Sequence, residues 1–251
     1  MEQLAFTAIL NRLLGGPITA LLEALHIHVK HPGAPISDSF AMEILVALLL
    51  IAFFALVRMK LSVERPSGLQ HTMEAIHARV ADLAADTIAD HSDRYVSYLT
   101  VLALFILIGN LIGLVPGLES PTAVPVVPLG CALFTWFYYH FHGVRINGSG
   151  YIKHFIGPQD KDIPVILRIF LPILMFPIEV FSHLARVMSL TVRLFANMFA
   201  GEMVTLVFFS LIPLGVPLAF EGLHIFVSGI QTYIFVLLAA AYIGEATAHA
   251  H

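Results

Sequence analysis

The sequence predicts an all-α membrane protein. Five transmembrane helices are joined by one amphipathic helix at the cytoplasmic surface, and the last two are long, strongly tilted and paired as a hairpin. Three observations carry this reading. Apolar residues (Ala, Val, Ile, Leu, Met, Phe, Trp, Tyr, Cys) make up 58% of the 251 residues, against about 45–50% in soluble domains even with Gly counted. Charged residues make up 12%, about half the usual share and too few to solvate a globule of this length. The apolar residues also gather in runs of about 20 or more, the length at which a helix crosses a hydrocarbon core of ~30 Å.

Taken in order, residues 1–39 form an N-terminal outer segment and residues 40–248 a single integral membrane domain. Met1–Leu14 carries Glu2 and has neither a basic start nor a cleavage site, unlike a secretory signal or transit peptide. The first span, about 40–59, is interrupted only by Glu43 near its start and Arg58 at its end. Glu43 sits where it can reach water. The second, about 95–115, stops at Pro116-Gly117. The third, about 124–141, gathers Trp136, Tyr138 and Tyr139 at its far end, as an interfacial aromatic belt does. The fourth and fifth cover about 167–211 and 217–247, separated by the breaker run Pro213 to Pro217.

Between the first two spans, residues 66–91 form an amphipathic helix that does not cross. Leu69, Met73, Ile76, Val80 and Leu83 step by four and three into one apolar stripe, while Glu74, Asp82, Asp86 and Asp90 spread over the rest. Such a stripe suits the membrane surface or a partner subunit. Residues Gly143 to Gly157 read as a Gly-containing cytoplasmic loop. Arg58, Lys60, Arg65, Arg79 and Arg94 lie between spans one and two, and Arg145, Lys153, Lys161 and Arg168 between spans three and four. Loops 116–123 and 212–217 carry no Lys or Arg. Cationic loops stay in the cytoplasm, so the N-terminus is expected outside and the C-terminus inside. Arg12 and Lys30 in the outer tail run against the rule without reversing it.

The last two helices exceed one bilayer. At about 1.5 Å per residue they would reach about 65 Å and about 45 Å, an excess that suits a helix following the side of another membrane object. Pro172 and Pro177 lie near the start of the fourth and are positioned to bend it. Glu179, His183, Arg186, Arg193 and Asn197 share one face of that helix, with Ser189 close by. Glu221, His224, Ser228 and Gln231 form a stripe on the fifth. Ionisable groups inside a bilayer are costly, at least about 2.5–3.5 kcal/mol for an Arg at mid-depth, and so mark function. Counting from a turn near Pro213 places Glu202 level with His224 and, about 13 Å deeper, Arg193 level with Gln231. Glu202 is half a turn round from Arg193, so a path joining them must wind between the helices.

Other chemistries find less support. The charge balance of −4 (13 Lys and Arg, 17 Asp and Glu) and the lack of a basic tract argue against nucleic acid as a partner. Cys131 is the one cysteine, which excludes a disulfide framework. The pairs His26/His28, His140/His142 and His249/His251 lack the helical spacing and carboxylate company of a metal site, so no metal and no cofactor is expected, and an intramembrane histidine enzyme is disfavoured. A secondary transporter binding an anionic solute at Arg193 is the alternative class. It calls for paired interrupted helices or internal symmetry, and neither is evident in the sequence. The chain contains no P-loop.

Residues 189–202 read Ser-Leu-Thr-Val-Arg-Leu-Phe-Ala-Asn-Met-Phe-Ala-Gly-Glu. This run resembles the signature S-L-x-x-R-L-F-x-N-x-x-A-G-E of subunit a of the F-type ATP synthase, bacterial type, and every fixed position is present. His224 and Gln231 stand at the family's seven-residue spacing. Asn110 and Pro116 resemble its N-L-x-x-L-x-P pattern, and Glu179 precedes the signature as in the family. The order of elements from about 40 to 248 is similar. Two positions depart: Gly113 stands where an Asp is frequent, and the third span opens Ala123-Val124-Pro125 instead of with acids and amides. Glu221, one turn before His224, is the nearest substitute acid.

The resemblance implies a stator subunit of a proton channel in the bacterial inner membrane. Arg193 would be the essential arginine facing a rotating ring of c subunits, with Glu202, His224, Asn197 and Gln231 on the proton path. Glu179, His183, Ser189, Glu221 and Asn110 would line the half-channels. The ring, the b-subunit peripheral stalk, the F1 sector indirectly and the lipid bilayer would be the partners, H+ the transported ion, and nucleotide chemistry would lie in other subunits.

Overall fold

The computed structural model describes residues 4–24, 26, 34–62, 66–88, 91–115, 117–148, 150–151, 165–212 and 215–248. Every regular element among them is helical: α1 (Ala5–Ala24), α2 (Asp38–Met59), α3 (Gly68–Thr87), α4 (Asp93–Leu111), α5 (Val126–Asn147), α6 (Val165–Leu211) and α7 (Val216–Thr247), with short 3-10 turns at Ile112–Leu114 and Pro121–Ala123. Pro116, Pro213, Arg65, Lys30, Lys153, Lys161 and Asp90 lie outside the described residues, as do His28, His249 and His251.

Five described helices are long and apolar enough to cross a membrane: α1, α2, α4 with its 3-10 extension, α6 from Phe170, and α7. The set differs from the expected one by a single exchange. α5 is a helix where the third span is expected, but Trp136, Tyr138, Tyr139, His140, His142 and Arg145 dilute its hydropathy. It also runs on to Asn147, so the loop expected from Gly143 begins about one turn later. α1 enters the set because Arg12 and Glu23 are its only charged residues.

The chain forms two compact units interleaved along the sequence. The first comprises Met1–Gln70, Leu104–Val127 and Phe195–Ile230. Here the side chain of Asn11 on α1 grips the backbone of Ile36 twice: Nδ2 donates to its carbonyl at 3.1 Å and Oδ1 accepts its N–H at 2.9 Å. Leu10, Ile36 and Ala41 are buried around this clamp, with Phe6, Ile18 and Ile44 against them. Such a doubly satisfied amide, shielded by apolar neighbours, fixes the entry to α2 without leaving a buried donor free. Ser37 then caps α2, its Oγ accepting the Phe40 N–H at 3.4 Å. Asp38 in the first turn and Arg58 in the last match the helix dipole.

The second unit comprises His71–Ala103, Pro128–Leu194 and Gln231–His251. In it the stripe of α3 is only partly covered: Val80 is buried and Met73, Ile76 and Leu83 are half-buried, while Ala84 and Ile88, outside the stripe, are buried too. The Thr100 hydroxyl of α4 approaches His77 of α3 at 3.4 Å. A Cβ on Gly244 of α7 would come within 2.8 Å of the Thr87 carbonyl, so this glycine lets the end of α3 reach the α7 backbone. Tyr98 stacks on Tyr138 at 3.9 Å between ring centroids, and its hydroxyl meets that of Thr135 at 2.8 Å.

Candidate functional site

Both long helices are unbroken. α6 spans 47 residues with Pro172 and Pro177 inside it, and α7 spans 32. They differ in how much of their surface this chain covers. Only 11% of the apolar window of α6 is buried, against 44% for α7 and 56% for α4. An apolar helix left this bare is finished by lipid or by another protein.

Within the first unit α6 and α7 run antiparallel in a readable register. Phe208 stacks on Phe220 at 4.6 Å, and the Ser228 hydroxyl faces the Met198 sulfur at 3.8 Å. Between these pairs, a Cβ on Gly201 would lie 2.7 Å from Nδ1 of His224. The absence of a side chain at Gly201 therefore seats the imidazole against the α6 backbone, beside Glu202. This is the level at which counting from the turn places Glu202 and His224 together.

Glu202 and His224 line one cavity of about 440 Å³, shared with Gly113, Glu119, Ser120 and Glu221. Glu202 is half-buried, and its Oε1 accepts the backbone N–H of Ser120 at 3.2 Å. Ser120 extends the network. Its hydroxyl donates to the Gly109 carbonyl at 2.8 Å and lies 2.7 Å from that of Thr122, which donates to Oδ1 of Asn110 at 2.7 Å. Asn110 is fully buried, so the amide expected on the second span is tied to the Glu202 carboxylate through two hydroxyl residues. The position of Gly113 is equally informative. A Cβ there would lie 3.0 Å from Glu202 Oε1 and 3.0 Å from Ser120 N. The glycine holds open the space that the carboxylate occupies.

Sequence reasoning did not single out Ser120, Thr122 or Gly201. The signal for the first two was a Glu-Ser-Pro-Thr run in an otherwise apolar connection. Asn197, also in this unit, is exposed on α6.

The second unit holds Glu179, His183, Ser189, Arg193 and Gln231. Their shared helix face is unevenly covered: His183 is buried, Glu179 and Arg193 half-buried, Ser189 exposed. Arg193 donates to the Ser189 hydroxyl one turn away at 3.5 Å. Nε2 of His183 lies 3.3 Å from the Glu179 carboxylate, and its Nδ1 lies 2.8 Å from the Tyr139 hydroxyl. The ring of His140 sits 4.6 Å from that of His183, and its Nδ1 meets the Tyr151 hydroxyl at 2.7 Å. Burial, and then the negative charges of Glu245 and Glu179, push the Tyr151 phenol up to about 12 despite the opposing pull of Arg186. That hydroxyl therefore stays protonated at neutral pH. Arg186 pairs with Glu245 of α7 at 2.7 Å and lies 4.9 Å over the Tyr242 ring. Gln231 is buried on α7.

Among the described residues no three His, Cys, Asp or Glu side chains are placed to hold a metal ion. The described polar side chains form clusters on apolar helices.

Known proteins give a consistent picture. A family model described as ATP synthase A chain matches residues 40–244. "ATP synthase subunit a" of Koribacter versatilis is 56% identical over 251 residues, which is 100% of this chain and 99% of that protein. The protein of the same name from Solibacter usitatus is 46% identical over 218 residues, covering 86% of this chain and 90% of its own length. That from Citrifermentans bemidjiense is 41% identical over 208 residues, covering 83% and 86%.

Proposed function

The chain belongs to the ATP synthase A chain family, and from that premise we propose that it is the stator half of the Fo proton channel, passing protons to and from the carboxylates of a rotating c-ring. The observation that carries this reading is Arg193, a half-buried cation on an apolar helix, beside which Ser189, Val192, Ala196 and Asn197 lie exposed. A guanidinium is effectively never deprotonated, and holding it inside a bilayer is costly. A neighbouring carboxylate that ionises as it passes would offset that cost, and the bare flank of α6 offers such a neighbour room.

Two half-channels, offset along the helices, would feed the ring. The outer one runs through Glu202, His224 and Gln231, with Asn197 beside it and Asn110 and Glu221 on its walls. The inner one opens near Glu179, His183 and Ser189. Arg193, level with Gln231, stands between them and repels free cations, so a proton crosses only by riding the ring. A carboxyl arriving from one side loses its proton near the guanidinium and regains one on the other. Proton flow then becomes rotation. The nucleotide chemistry lies in the F1 sector, coupled indirectly, and the b-subunit peripheral stalk holds this chain against the torque.

In this reading the protein is a multipass component of the bacterial inner membrane in which α1 belongs to the outer segment and α2, α4, α5, α6 and α7 cross. Its N-terminus lies outside, its C-terminus in the cytoplasm, and α3 at the cytoplasmic surface. Orientation rests on the Lys and Arg of the loops.

Disulfide trapping tests the proposal in the assembled complex. A cysteine at Asn197 and another on the proteolipid helix that carries its carboxylate should cross-link on oxidation and stop rotation. Reduction should restore it. No cross-link from position 197, with efficient cross-linking from the opposite face of α6, would overturn the reading.

A further inference from the structure

The cavity around Glu202 contains more acid than a two-residue relay needs. Glu119, in the connection after α4, is exposed; Glu221 and Glu202 are half-buried; His224 is 7% exposed. All four line the same space, and none of its lining residues is Lys or Arg. Charge of one sign in a cleft with apolar walls concentrates the opposite ion. The acids therefore form a graded series from solvent inward, drawn from three segments of chain.

A second observation is independent of the acids. Nε2 of His224 is buried and has no hydrogen-bond partner among the described residues, although its ring lines the cavity. A buried imidazole nitrogen left unpaired costs free energy unless something arrives to pair with it. Nδ1 faces the α6 backbone at Gly201, so Nε2 is the atom left to take a proton. Glu221 stands one helical turn away on α7, at the i, i+3 spacing that brings side chains together. Gly113, in the 3-10 turn after α4, lets the Glu202 carboxylate approach to where a side chain at that position would start.

We propose that Glu119 and Glu221 are the proton-collecting acids of this channel: Glu119 captures protons from the outer solution, and Glu221 passes them to Nε2 of His224. This rests on the function proposed above. In the transfer the Glu221 carboxylic acid loses its proton as the imidazole gains one. The carboxylate left behind is reprotonated from the Glu119 side. Glu202 and His224 are the titratable groups facing Glu221, from α6 and α7, and α4 presents none to the cavity.

Collection matters only when protons are scarce, and this separates it from a structural role. The complex would be reconstituted in vesicles, and proton-driven ATP synthesis measured for the E119Q/E221Q variant at alkaline outer pH with little buffer. The rate should fall by about tenfold, the scale on which charged clefts raise arrival rates. Adding a mobile buffer such as imidazole should restore it to within about twofold, on the same argument. E119Q alone, at an exposed position, gives the same readout where the double variant fails to assemble.

A wild-type rate in weak buffer, or a loss that added buffer does not repair, overturns the proposal. R193A, measured alongside, separates this from failure of the underlying reading. If R193A still couples, the stator function itself is wrong. If R193A is inactive and E119Q/E221Q behaves as wild type, only proton collection is.

Discussion

Ser120 and Glu202 are 82 residues apart in sequence, yet the Ser120 N–H donates to the Glu202 carboxylate at 3.2 Å. The bond fixes a charged group of α6 to the connection that follows α4. Ser120 has φ −72°, a value proline adopts without strain. Ser120→Pro should therefore keep the backbone path while removing both the N–H donor and the hydroxyl bonds, whereas Ser120→Ala keeps the donor and loses only the hydroxyl bonds. Proton-driven synthesis should fall about tenfold in the proline variant and less in the alanine variant, in the range of general acid–base contributions. Equal activity in the two would show that this N–H does not position Glu202.

Gly201 and Gly113 make a paired prediction about space. Alanine at 201 places a methyl 2.7 Å from His224 Nδ1, and alanine at 113 places one 3.0 Å from the Glu202 carboxylate. Each should displace its polar neighbour and slow proton flow, while leaving assembly intact on a native gel. Overpacking of this kind typically costs about 1–3 kcal/mol. Wild-type rates in both variants would mean that the cavity is softer than its geometry indicates.

Arg193 should tolerate no neutral replacement. Arg193→Ala is expected to reduce coupled ATP synthesis to background with the complex still assembled, and to let protons leak through Fo once F1 is stripped away. Arg193→Lys keeps the charge but loses the planar fork, and should retain little activity. Passive proton uptake by vesicles after F1 removal distinguishes a leak from a block.

The Arg186–Glu245 pair ties α6 to α7 at 2.7 Å, with Tyr242 beneath the guanidinium. The carboxylate is 43% exposed, so solvent screens the pair and its coupling energy should be only about 1 kcal/mol. A double-mutant cycle with Arg186→Met and Glu245→Gln, read by thermal denaturation, measures it. A coupling near zero would assign the contact to geometry alone.

Tyr151 provides a pH test. Its phenol, with an ordinary value of 10.0, is pushed up to about 12 in the fold. The folded state therefore holds its proton where the unfolded chain has lost it, and the associated stability disappears as pH rises through that window. Tyr151→Phe should flatten the decline in melting temperature between about pH 10 and 12. The variant also gives up the bond to His140 and should be less stable at neutral pH. An unchanged alkaline slope would place the titration elsewhere.

What the sequence revealed follows from the regularity of helices. A fixed rise per residue lets one count from a turn, and counting alone put Glu202 beside His224, where Gly201 now shows the two helices meeting. The Arg193 run is legible because a charged side chain on an apolar helix is costly and persists only where it serves a purpose. Contacts that depend on a folded backbone were hidden. Nothing in Asn11 announces that it will grip Ile36, and nothing in Ser120 that its N–H will find a carboxylate. Tyr139 read as an interfacial aromatic, yet its hydroxyl lies against His183, because which face of α5 meets α6 is decided by packing. α1 and α5 changed places among the apolar helices because both compositions lie close to what a bilayer accepts.

The unbroken course of α6 also makes it a ruler. Arg193, Asn197 and Glu202 share one continuous helix, so one residue inserted among them would slide the later groups by about 1.5 Å and swing them by about 100°. No neighbouring loop could absorb that error. Lineages carrying this chain should thus tolerate length changes in its connections, while the stretch from 193 to 202 stays closed to insertion and deletion even where individual letters drift.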